Sequence, residues 1–207
     1  MKKIVIITVL SIISIVVFSS ACTASWLYFY KPEFKGRILD AETKEPIKDA
    51  VVVAVYNTHQ YGIADGGTSE IGVRETLTDE KGEFHIPSYF AIINPFSVEE
   101  KTSFIIYKPG YGSYPGIPSY PIRYFRNFAE DFFTREIGER GETIKSDVTM
   151  EKVIITYGIV ELPRVKTKKS RLRAVPSRPT GMRVKDLPLL FKSINEERKK
   201  FGLDEVG

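Results

Sequence analysis

From residue 34 to about residue 180 no stretch carries the three-and-four apolar spacing of a long amphipathic helix, while short apolar runs bounded by turn residues recur. A chain patterned this way buries its apolar side chains by packing short strands, so the expected class is an all-β antiparallel sandwich. Residues 34–39 read as a strand and residues 40–49 as a polar connection interrupted by Pro46. Residues 50–56, "AVVVAVY", are apolar on both faces, which requires cover on both sides. The glycine-rich residues 57–72 read as a loop or irregular excursion, and its length predicts an added loop or hairpin at one edge. In "TDEKGEF" Asp79 is placed to cap a tight turn and Gly82 to supply its left-handed residue. Residues 103–107 form another strand, stopped by Lys108-Pro109-Gly110. Period-two alternation points Phe84, Ile86, Phe104 and Ile106 inward and His85 outward.

The order Gly36-Arg37-Ile38-Leu39-Asp40, Pro46-Ile47, Ala50-Val51-Val52-Val53, Thr78-Asp79-Glu80-Lys81-Gly82-Glu83-Phe84 and Lys108-Pro109-Gly110-Tyr111 resembles that of carboxypeptidase regulatory-like domains. The resemblance covers about residues 33 to 115. It implies a transthyretin-like (prealbumin-like) β-sandwich, completed by a later strand, and an accessory role rather than a particular activity.

The N-terminus sets topology. Lys2 and Lys3 precede an uncharged apolar run, and Ser19, Ser20 and Ala21 are small residues ahead of Cys22, the chain's one cysteine. That is the grammar of an export signal. It resembles a bacterial lipoprotein leader, which implies lipid attachment at Cys22, although Ser19 stands where such leaders carry an aliphatic residue. An uncleaved membrane span is the rival reading, because no charge occurs between Lys3 and Lys31 and Trp26, Tyr28 and Tyr30 suit an interface. Simple secretion is the third. In the first two the remaining chain lies outside the cytoplasm, in the bacterial cell envelope, tethered to a membrane.

Residues 107–133 interleave nine tyrosines and phenylalanines with four prolines. Tyr111, Tyr114, Tyr120 and Tyr124 are candidates for a platform that would take a glycan or protein partner, or for rings tucked over an open end of the core. Residues 125–137 have room for a short helix, and residues 153–162 for a long strand or a hairpin broken at Gly158. Residues 164–185 then carry nine lysines and arginines and no acid. Formal charge is −5 over residues 31–160 and +7 over residues 161–207. The strip is thus expected to touch a negative surface, the acidic domain itself by an internal wrap ahead of an anionic envelope surface, for which Lys166, Lys168, Lys169, Arg171 and Arg173 are the candidate contacts. An exported chain does not meet nucleic acid, and no base-reading motif is present. The terminal segment reads as a helix with Asp186 as cap, Pro188 in the first turn and Gly202 as stop.

The organisation expected is therefore a leader or anchor over 1–30, a carboxypeptidase regulatory-like module over 31–162, a basic extended segment over 163–185 and a helix over 186–202. Catalysis has little to draw on. The two histidines, His59 and His85, lack an HExxH or CxxC frame, and His59 with Asp65 and Ser69 has no nucleophile elbow. "TDEKGE" does not follow calcium-loop spacing, and no pair among Glu70, Glu75, Glu99 and Glu100 is singled out as a glycosidase dyad. No catalytic residue, metal or cofactor is expected. A hydrolase acting on an envelope polymer or peptide, or a purely structural envelope protein, is the alternative to a non-catalytic binding or accessory module.

Overall fold

The computed structural model describes residues 27–60, 67–115, 130–145 and 152–206. The leader with Cys22, the loop tip with Asp65, and the segment holding Tyr120 and Tyr124 lie outside the described residues. The described residues are mostly β, with 40% in strands and 19% helical.

The central strand is β3 (Val51–Gln60), which pairs antiparallel with β4 (Gly67–Leu77) along its whole length. Its other edge is shared by β8 (Ser103–Tyr107), opposite Val51 to Val55, and β7 (Ser97–Glu99), opposite Thr58 to Gln60. The stretch read as a loop is thus largely a long hairpin. A second sheet has the order β11 (Ile159–Leu162), β2 (Phe34–Asp40), β5 (Glu83–Ile86). Two ribbons stand apart: β1 (Tyr28–Lys31) with β6 (Tyr89–Ile92), and β9 (Arg140–Lys145) with β10 (Lys152–Thr156).

Two sequence expectations are corrected here. β11 runs parallel to β2, so the pairing is not purely antiparallel. Parallel neighbours need a long crossover, and more than a hundred residues separate these two strands. The break at Gly158 (φ +69°) is where expected, yet β10 and β11 pair with different partners because that turn hands the chain to the second sheet. The turn at Asp79 also changes sheets: β4 belongs to the first, β5 to the second. Asp79 Oδ1 accepts from the N–H of Lys81 (2.9 Å) and of Glu83 (2.8 Å), and Gly82 has φ +71°. A Cβ at Gly82 would lie 2.5 Å from the Ile38 carbonyl, so this turn needs glycine twice over.

The alternation along β3 divides its side chains between two cores. Val52, Ala54 and Tyr56 join Phe34, Ile38, Phe84, Ile86, Phe104, Ile106, Val160 and Leu162, a cluster drawn from both sheets. Val51, Val53 and Val55 face the other way, with Ile105 and Tyr107. Their cover is the terminal helix and the residue before it, which supply Leu190, Phe191 and Ile194, and Leu187, respectively. The double-sided apolar pattern of residues 50–56 has this cause.

Three helices are described: α1 (Asp131–Thr134), α2 (Lys168–Arg173) and α3 (Pro188–Lys200). The basic segment is therefore not extended throughout, since α2 interrupts it, capped by the Thr167 hydroxyl accepting from Ser170 N–H. Pro188 opens α3 as expected, but Asp186 does not cap it. Its carboxylate accepts from Arg183 N–H (2.9 Å) in a 3-10 turn, Val184–Asp186, and Leu187 is the residue preceding the helix. The first N–H groups of α3 are met instead by Glu75 of β4, which accepts from Leu189 (2.6 Å) and Leu190 (3.0 Å). No helix among the described residues is long and apolar enough to cross a membrane.

Candidate functional site

Two features of the sequence, the tyrosine-rich loop and the basic strip, meet at one carboxylate. Asp40 ends β2 and is 1% exposed. Its Oδ1 accepts from the N–H of Glu42 (2.8 Å) and Thr43 (3.1 Å), closing the turn that follows the strand. Its Oδ2 accepts from Arg164 Nε (2.5 Å) and from the Tyr111 hydroxyl (3.1 Å). Backbone bonds stitch the same segments together, from Gly112 N–H to Pro163 O (2.8 Å) and from Val165 N–H to Gly110 O (2.9 Å). Burial by itself raises the Asp40 carboxyl. The Arg164 guanidinium, the two backbone N–H groups and the Tyr111 hydroxyl outweigh it and hold the carboxyl down at about 2. A carboxylate so fully engaged is a lock between segments; it has no proton to trade near neutral pH.

The tyrosines named as a platform are accordingly divided. Tyr111 is half-buried, its hydroxyl committed to Asp40 and its ring 5.7 Å from the Arg164 guanidinium. Tyr114 is 4% exposed within the main core, its backbone bonded both ways to Ile106 at 2.8 Å, so its ring offers no face to a ligand. The reason is the bridge to β8, which draws the loop across the open end of the sheet. Tyr120 and Tyr124 lie outside the described residues.

The basic strip is likewise split. Arg171 makes a two-pronged contact with Glu197 of α3, both at 2.6 Å, and Glu197 is buried. The Arg171 guanidinium also stands 5.2 Å from the Phe201 ring. Lys168 reaches the Phe201 carbonyl (3.4 Å) and ring (5.4 Å). Lys166, Lys169 and Arg173 are exposed and form no ion pair among the described residues.

Side chains that chemistry would need are dispersed. His85 is exposed and faces Glu33 at 2.9 Å, outward as alternation required. His59 pairs in register with Thr68, and Ser69 with Thr58, so His59 and Ser69 point to opposite faces of the β3–β4 ribbon. Glu75 caps α3; its carboxyl is raised by burial, against the two N–H bonds that lower it. Glu99 pairs with Lys31 at 2.7 Å. Among the described residues no three His, Cys, Asp or Glu side chains form a metal-binding group. A cleft of about 380 Å³ beside α3 is lined by Asp49, Leu77, Lys108, Lys192, Glu196 and Lys200, charges of both signs. Burial lowers the Lys108 ammonium, which donates to the Asp49 carbonyl (3.2 Å).

Among the described residues an exposed apolar face also appears on the β1–β6 ribbon. On the β1–β6 ribbon Phe29 and Lys31 turn inward while Tyr28, Tyr30, Phe90 and Ile92 stay exposed. Residues 28–30, assigned from sequence to the anchor, belong to the folded unit, and Phe29 is fully buried. The signal was present: "LYFYK" alternates with period two, but its place at the end of a charge-free run masks it. No family model, curated protein or solved structure matches this chain.

Proposed function

We propose that the chain is a non-catalytic accessory or binding module of the bacterial cell envelope, tethered to a membrane through its N-terminus and serving a protein or glycan partner. The observation that carries this reading is the charge-free run from Ile4 to Tyr30, preceded by two lysines and reaching the first strand with no charged residue between. A lipidated Cys22 or an uncleaved span accounts for such a run and keeps the chain on the membrane. The finer fold assignment, a transthyretin-like sandwich akin to carboxypeptidase regulatory-like domains, draws support from the core shared by two sheets and from the Asp79–Gly82 turn.

A purely structural role is the second reading, and the burial of Tyr114 together with the engagement of Tyr111 favours it. The test of the tether is flotation of the full chain with membranes, combined with fatty-acid labelling of wild type and Cys22→Ala. Labelling lost in Cys22→Ala supports the lipid anchor. Unlabelled, membrane-bound chain of full length supports the span. Chain that stays soluble in both forms overturns the proposal.

A further inference from the structure

We infer that the outer face of the β1–β6 ribbon rests on the lipid bilayer, so that the domain lies against the membrane in a fixed orientation; this deepens the tether reading above and rests on it. In the antiparallel register Tyr28 faces Ile92 and Tyr30 faces Phe90, and paired residues share a face. Their exposures are 48%, 76%, 57% and 59%, and the Tyr28 and Phe90 rings touch at 5.6 Å between centroids. Phe96, in the turn after β6, is 77% exposed. Taking roughly 200 Å² for each large side chain, the four ribbon residues leave on the order of 500 Å² of continuous surface in water. That exceeds what scattered surface residues leave bare. It falls short of the roughly 800 Å² per partner that a stable protein interface buries.

Two observations select lipid as the occupant. The chain enters β1 directly from the uncharged run, and Tyr28 lies six positions beyond Cys22. Six extended residues reach at most about 20 Å, so a lipid on Cys22, or a span ending there, holds the ribbon within reach of the headgroup layer. The first charged side chain after Lys3 is Lys31, and it points into the protein, 2% exposed, paired with Glu99 at 2.7 Å and with Glu130. The outward face is thereby left without charge, and tyrosine and phenylalanine are side chains that settle at the boundary between headgroups and acyl chains.

The experiment uses full-length chain in vesicles of phosphatidylethanolamine and phosphatidylglycerol. Trp26, the one tryptophan, is changed to Phe, and a reporter is introduced singly as Phe90→Trp, Ile92→Trp or, on β4 beside the cleft, Leu77→Trp. These are exposed positions, and unchanged circular dichroism verifies folding. Lipids brominated on the acyl chain should remove at least half of the emission at positions 90 and 92 and leave position 77 unaffected. Chain that floats with vesicles yet shows 90 and 92 open to acrylamide and untouched by bromolipid overturns this orientation while sparing the tether. Reporters shielded from both quenchers mean that a second copy or another protein covers the face, which also overturns it. Chain that does not float removes the tether and this inference together.

Discussion

Asp40 concentrates the physical chemistry of the molecule in one side chain. Four donors converge on it, so Asp40→Asn retains the shape and loses the charge, at a cost of about 1 to 3 kcal/mol in a urea melt at neutral pH. Its folded pKa, about 2, lies below the ordinary value of 3.8. The contribution is therefore complete above pH 4 and is lost as pH falls toward 2. The stability gap between wild type and Asp40→Asn should close over that window; a gap that widens with acidity contradicts the assignment. The core gives a second prediction at this scale. Phe84 is buried against Gly36, where an added Cβ would meet its ring at 2.6 Å, so Phe84→Ala should cost about 3 to 5 kcal/mol. A loss under 1 kcal/mol would mean the ring is not in the core.

Among elements, α3 carries the most testable packing. It covers the second face of β3, and its attachment depends on two carboxylates, Glu75 of β4 at its first turn and its own Glu197 holding Arg171. Arg171→Ala leaves Glu197 buried and unpaired, and a loss of about 3 to 5 kcal/mol is expected. The double change Arg171→Ala with Glu197→Leu should recover much of it, and equal losses in single and double variants would show that the charge pairing is immaterial. The sequence made the local half of this legible. Alternation placed Phe84, Ile86, Phe104 and Ile106, turn chemistry placed Asp79 and Gly82, and the apolar stripe with Pro188 placed α3. What it could not show are partners remote along the chain. Glu75 meets Leu189 N–H across 114 residues, and Asp40 meets Arg164 across 124. Alternation along β2 puts Asp40 in phase with Phe34 and Ile38, but no local pattern names Arg164 or Leu189 as a partner. The candidate site was less legible than the fold, because tyrosine and lysine side chains serve core, ion pair and surface with the same spelling.

At the scale of the whole molecule, Arg164 on Asp40 joins the basic tail to the acidic strand-rich part, Arg171 pairs within the tail with Glu197, and Lys166, Lys169 and Arg173 remain outward. The uncharged ribbon marks the entry of the chain from its N-terminal run. In the proposed tether the short stretch from Cys22 to Tyr28 keeps the domain close to its anchor. The tether is tested most directly by the intact mass of the full-length gene product extracted from bacterial membranes. The expected species is extracted from membranes and either begins at Cys22 and carries acyl groups or retains all of residues 1–30. An unacylated polypeptide cleaved within residues 1–30 and recovered from the soluble fraction would contradict it.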